Sequence, residues 1–305
     1  MGAANVSVYG SAGGLIRSFW PQKKIYETIL EGSPTLGIAR KDTSFHEEDR
    51  YITIGLGAPQ GVGPDFNGSR NDKTPSGSKR FTIEAKTYYA FVSIQGRLLR
   101  MAEDDEAVLV KPVARESKNV ILQVKRDFSS YIHGNGGGAL GQISAGSNVS
   151  TQTITLADTS RIRFFDEGMK LQADTIDGTS GTVHTGYVTV AAGGVDEDNG
   201  SITIEEASWI AAIPSIAASD YVFRRNVFGN VFTGLEGWNP PSLSGSSFMG
   251  VTRAAGENKK AGYRTTETAT MQPRAAAIRL ARLLADAQQD PNTYIIHTTD
   301  FENLQ

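Results

Sequence analysis

The sequence predicts an α+β chain, on three observations. Two segments, 112–133 and 273–288, carry apolar residues at helical spacing. Short β-like runs crowd residues 151–225, with turn signals between them. Thirty-three glycines in 305 residues supply the positive-φ positions that tight turns and hairpins need.

The elements follow in chain order. The first fifteen residues are small and polar, an expected mobile terminus. Residues 22–31 (QKKIYETILE) place Ile25, Ile29 and Leu30 at helical spacing, and Gly32 and Pro34 stop that helix. Residues 51–55 (YITIG) read as a strand. Residues 57–80 hold almost nothing that could enter a core and read as a long loop with a disordered tip. Residues 81–94 (FTIEAKTYYAFVSI) are rich in β-formers, so the two flanking runs form an extended hairpin. Residues 95–110 read as a helical turn and a linker.

The helix 112–133 starts on Pro112 at the first helical position. Its apolar stripe is Val113, Val120, Ile121, Val124, Phe128 and Tyr131, and Gly134 follows its end. Residues 134–149 read as a Gly/Ser linker. From 151 to 225 only strands are expected: 151–156, 161–165, 168–173, 182–190, 201–205 and 220–224. They suggest a small barrel or sandwich. A Ser/Gly stretch follows Trp238, then the helix 273–288 and a strand at 293–297. These readings divide the chain into an arm at 1–50, a hairpin at 51–95, a helical region at 96–150, a β-rich insertion at 151–235 and a return to the core at 236–305.

Composition narrows the function. The chain is 39% hydrophobic and 21% charged, enough to bury a core. A net charge of −3 gives no global excess for neutralising phosphates. Without cysteine there is no disulfide frame, thiol nucleophile or Cys-type zinc site, which fits the cytosol. No apolar run is long enough to span a bilayer, and the N-terminus matches neither a secretory signal nor an acylation motif.

Chemistry-bearing motifs are weak. HGNGGGALGQ follows a helix, whereas a phosphate cradle follows a strand and opens a helix, so it reads as a cap and hinge. His46, His133, His184 and His297 are scattered, with no metal-binding spacing. Asp196, Asp198 and Asn199 evoke calcium coordination, but Ser201 and Ala207 stand where an EF-hand needs Gly and Glu, so a hairpin turn is the better reading. No catalytic, cofactor or metal residue is assigned, and the chain is read as a non-enzyme.

Two charge groups remain. Arg70, Lys73, Lys79 and Arg80 belong to the long loop; Glu103, Asp104, Asp105 and Glu106 form an acidic run. Opposite charges on separate segments suit head-to-tail contacts between identical subunits, and these eight residues are the intersubunit contact candidates.

The order of elements resembles the major capsid proteins of tailed phages, the Hong Kong 97-like fold. IYETILEGSPTLGIARKDTSF is similar to an N-arm. SKRFTIEAKTYYAFVSIQGRLLRMAEDDEAVL resembles the descending strand of the extended loop (the E-loop) and its junction. VKPVARESKNVILQVKRDFSSYIHGNGGGALGQI resembles the spine helix with its glycines. TITLADTSRIRFFDEGMKLQA, SGTV, ASDYVFRRN and GLEGWNP resemble an inserted β-domain, and SFMGVTR a return to the main domain.

The resemblance spans nearly the whole chain and implies a fold with N-terminal arm, extended β-hairpin loop, spine helix in a peripheral domain, inserted β-rich domain and axial domain. It implies a subunit that self-assembles, as hexamers and pentamers, into an icosahedral virion head around packaged double-stranded DNA without sequence-specific binding. Assembly in the host cytoplasm, with scaffolding, portal and decoration proteins as partners, belongs to the same expectation; no cofactor and no membrane does too. Family members usually continue past a segment such as HTTDFENLQ, so the expectation is either a chain truncated at Gln305 or an unusual ending. The alternatives are an encapsulin-like shell, another virion protein and, last, a carboxylate-dependent hydrolase.

Overall fold

The computed structural model describes residues 49–91, 106–243, 245–263 and 273–286. They are mixed α and β with antiparallel sheets, and fall into two compact units: residues 86–237, and residues 49–85 with 238 onward. The expected N-terminal helix and the strand at 293–297 lie outside the described residues, as does the segment 92–105.

The first unit is built on one long helix and one six-stranded sheet. The helix, Glu106–Tyr131, starts six residues before its expected beginning. Pro112 therefore sits inside it, where the ring removes one backbone hydrogen bond at the second turn. The strands are Ala139–Gln142, Thr153–Thr155, Lys170–Asp174, Val188–Asp196, Ser201–Ile204 and Tyr221–Arg224. Numbering them β3 to β8, after the two strands of the other unit, their order is β3-β8-β5-β6-β7-β4, and every pairing is antiparallel.

The sheet closes on itself. Just beyond β3 and β4, Ile143 and Leu156 form an antiparallel bridge. Ser144 N donates to Thr155 O at 2.9 Å and Ala157 N to Gln142 O at 2.8 Å. The two outer strands thus become neighbours, and the sheet becomes a barrel with its backbone groups paired. Alternate residues fill it: Leu171 and Ala173, Val188 and Val190, Ile202 and Ile204, with Val222, are all buried. Trp209 packs in the same core and its indole N–H donates to Gln152 O at 3.0 Å.

Three expectations in this region are corrected. Residues 134–149 are not only a linker, because Ala139–Gln142 pairs with β8. The expected strand 161–165 is a 3-10 helix, Thr159–Phe164, whose first turn is capped by the Asp158 carboxylate accepting from Ser160 N at 3.0 Å. Arg-Ile-Arg alternation mimics a strand, and the cap upstream decides otherwise. Residues 151–225 also hold a helical turn, Trp209–Ala212, capped by Ser208 Oγ accepting from Ala211 N.

One glycine explains the turn after the helix. A Cβ on Gly137 would lie 1.9 Å from Asp177 O. The backbones of 137 and 177–178 touch there, which no side chain permits.

The second unit holds a two-stranded ribbon: β1, Arg50–Gly57, and β2, Gly77–Ile83. β2 starts and ends earlier than the expected run 81–94, and residues 84–91 are irregular. A two-residue pairing of Ser247–Phe248 with Val251–Thr252 completes the strands described there. The helix Pro273–Asp286 matches its expected start.

Candidate functional site

The ribbon's register sorts its residues onto two faces. Opposed pairs are Arg50↔Ile83, Tyr51↔Thr82, Ile52↔Phe81, Thr53↔Arg80 and Ile54↔Lys79. One face therefore carries Ile52, Ile54, Phe81 and Ile83. Phe81, 2% exposed, meets Trp238 edge-on at 5.5 Å and Phe248 at 6.1 Å. The Arg253 guanidinium covers Phe248 at 3.8 Å and donates to Trp238 O at 3.0 Å. This small aromatic cluster holds one side of the ribbon.

Among the described residues the other face has no such cover. Tyr51 is 52% exposed, and Arg80, diagonal to it, lays its guanidinium over the ring at 4.1 Å.

The tip between the strands is folded, which corrects the expectation of disorder. Asp65 caps a short helix, Phe66–Asn71, by accepting from Gly68 N at 2.6 Å. Gln60 and Thr74 bridge the base of the tip, and Ser69 Oγ donates to Gly63 O at 3.2 Å. Gly61, at φ +100°, lies so near Ser69 O that a Cβ there would be 2.6 Å away. Local hydrogen bonds, not an apolar core, give this tip its shape. Its apolar side chains point outward: Val62 is 95% exposed and Phe66 76%.

Of the sequence-predicted contact residues, Arg70 ends the tip helix and Lys73 follows it, both exposed. Lys79 lies on the face opposite Arg80, and its charge helps hold the Glu257 carboxyl below its usual range, after the larger contributions from Lys260 and the Ala254 N–H. Arg80 is engaged with Tyr51. Glu103, Asp104 and Asp105 lie outside the described residues, and Glu106 begins the long helix. Tyr51, Val62 and Phe66 were not singled out in the sequence. An aromatic and a valine inside a Gly/Pro-rich loop were the available signal.

A second group was also missed. In the first unit, Asp127 on the long helix is 5% exposed and pairs with Arg224 of β8. Tyr88 OH donates to the same carboxylate at 2.5 Å, and Gln123 Nε2 donates at 3.1 Å. Burial pushes the Asp127 carboxyl up, while Arg224 and these hydrogen bonds pull it back. Burial and then Asp127 push the Tyr88 phenol up, so it stays a donor. This buried network ties helix, barrel and the segment carrying Tyr88 together. The sequence signal was an aspartate at the edge of an apolar helical stripe, beside Val124 and Phe128.

His184 pairs with buried Asp220 at 3.2 Å, and His133 is exposed. The Asp196 turn joins β6 to β7, with Asp196 accepting from the N–H groups of Asp198 and Asn199 at 3.1 Å each. Among the described residues no three His, Asp or Glu side chains could hold a metal ion, and no helix is long and apolar enough to cross a membrane. No family model, curated protein or solved structure matches the chain.

Proposed function

We propose that this chain is a structural subunit that self-assembles into a closed shell, the major capsid protein of a tailed-phage head. The observation that carries the reading is the ribbon with its folded tip, which presents Val62 and Phe66 to solvent. A two-stranded ribbon is marginal by itself in water. A tip that spends apolar side chains on solvent is expected to bury them against a neighbouring subunit. The long helix beside an antiparallel β-barrel agrees with the spine and insertion of that family. In this reading Arg70 and Lys73 meet acidic groups of a neighbour, and the shell encloses double-stranded DNA.

Negative-stain electron microscopy of the purified chain tests the reading. Rings of five or six subunits, or uniform round shells, are expected. Monomers alone, at every concentration and salt level tried, would sink it. Nucleic acid inside the shells supports a virion head; a packaged protein cargo would move the chain to a compartment shell.

A further inference from the structure

The hydrogen-bond phase of the ribbon shows what lies on its open edge. Thr82 N donates to Met249 O at 3.0 Å, so this N–H points away from β1. Thr82 and Tyr51 are therefore a non-hydrogen-bonded pair of the β1–β2 ladder. Pairs alternate, so Thr53↔Arg80 and Gly55↔Ser78 are of the same kind. The N–H and C=O groups of Tyr51, Thr53 and Gly55 accordingly face the outer edge of β1. Among the described residues no strand lies along that edge.

The two edges of the ribbon differ. β2 carries Lys79 and Arg80, and Met249 takes up part of its outer edge. From Tyr51 to Gly57, β1 has no charge and no proline, the features that keep natural edges from pairing. Its apolar face also runs uncovered toward the edge, with Ile52 40% exposed opposite buried Phe81.

The outward residues select the occupant. Their pattern is symmetric about Thr53, so an antiparallel copy of β1 satisfies all of it. Thr53 then stands opposite Thr53, and Tyr51 opposite Gly55 on either side, each pair exchanging both of its N–H···O=C bonds. A shift of two residues either way sets Gly55 opposite Asp49, before the strand, or Tyr51 opposite Gly57, past the bulge. Side chains agree with the symmetric register. Tyr51, half exposed, meets Gly55 of the second copy, where a Cβ would touch nothing within 4 Å, so the ring fills space that glycine leaves. Ile52 meets Ile54 on the face shared with Phe81. Beyond the paired residues, Asp49 comes opposite Gly57, next to Leu56, whose carbonyl accepts from Lys259 Nζ at 3.2 Å. Carboxylate and ammonium thus approach at both ends.

We infer that β1 pairs edge to edge with β1 of a second copy of this chain, antiparallel, about a two-fold axis through Thr53. Two marginal two-stranded ribbons become one four-stranded sheet. The inference does not rest on shell assembly, because this pairing would form whether or not further contacts close a shell.

The chain has no cysteine, so Thr53→Cys in the full chain places its only thiol on the axis, facing its own counterpart. Facing Cα atoms of such a pair are about 5.5 Å apart, within disulfide reach. Mild oxidation is expected to give a covalent dimer on a denaturing gel about tenfold faster than with Ser78→Cys on β2, because pairing raises the local thiol concentration. Equal rates would overturn the inference. Thr53→Lys and Thr53→Glu each put like charges opposite one another and are each expected to raise the dimer Kd about tenfold in sedimentation runs. An equal mixture of the two should restore it. Arg80, opposite Thr53 within the ribbon, acts on these two variants in opposite directions, so weakening in both reports the contact between copies. Undiminished dimers in both, or a mixture no tighter than either alone, would overturn the pairing. Crosslinked dimers without rings or shells would keep the pairing and remove the shell reading; shells that fail to crosslink would do the reverse.

Discussion

The barrel and the ribbon are both antiparallel β-structure, yet they solve opposite problems. All barrel strands but Val188–Asp196 are short, three residues in Thr153–Thr155 and four in Ser201–Ile204, yet their inner side chains are buried almost completely. The ribbon's strands are eight and seven residues long, yet Phe81 alone among them is buried. The difference lies in closure. The Ile143↔Leu156 bridge joins the outermost strands, so each barrel strand has two neighbours and a filled interior. β1 and β2 have each other and a few aromatic rings. Strand length is therefore no guide to stability, and the less supported element is the one available for contacts outside the chain.

That contrast can be broken from the barrel side first. Trp209→Ala should cost about 3–5 kcal/mol by urea unfolding, because the cavity lies in a closed core and the Gln152 carbonyl loses its donor. Asp127→Ala should cost about 2–4 kcal/mol, since Arg224, a quarter exposed, and the Tyr88 hydroxyl are both left without their carboxylate. A change under about 1 kcal/mol, the level of an exposed pair, would show the network to be solvated.

Smaller effects belong to the ribbon. Phe81→Ala should raise amide exchange along β1 and β2 and leave the barrel amides unchanged, because the two units have separate cores. Exchange that rises equally in both would erase the comparison. Replacing residues 58–76 with Asn-Gly, a hairpin turn between Gly57 and Gly77, should keep the thermal midpoint within a few degrees yet abolish rings or shells. Normal particles from that variant would remove the tip from the assembly surface.

The smallest effect is a pH dependence. The Ser160 hydroxyl holds the Asp158 carboxyl below its usual range, against an opposing effect of burial, with the Ser160 N–H and Arg161 adding to the lowering. Its contribution is present above the ordinary carboxylate range and is lost as pH falls through the lowered value. Asp158→Ala should lower stability at neutral pH, where that contribution and the helix cap are lost, and flatten the acid limb, leaving stability at the lowest pH nearly unchanged.

Much of this architecture was legible in the chain itself. Period-two runs such as TITL, KLQAD and SITI located barrel strands, because one face of each must meet the core whatever its neighbours are. The apolar stripe ending in Phe128 and Tyr131 located the long helix for the same reason. Element type is set by local periodicity, and so is the division between helix-rich and strand-rich regions.

Other features depend on residues far apart in sequence. Ala139–Gln142 looks like a linker until Phe223 and Tyr221 supply its hydrogen bonds. RIRFF alternates like a strand until the Asp158 cap turns it into a 3-10 helix. The tip at 58–76, poor in core residues, takes its shape from Asp65 and Gly61. Asp127 reads as a surface charge until Tyr88 and Arg224 enclose it. Local pattern alone determined which residues want an apolar partner. Only the tertiary structure decided which of them found one within the chain, because closure, burial and pairing are properties of contacts and not of residues. Tyr51, Val62 and Phe66, with Tyr89 and Phe91, are among those left open.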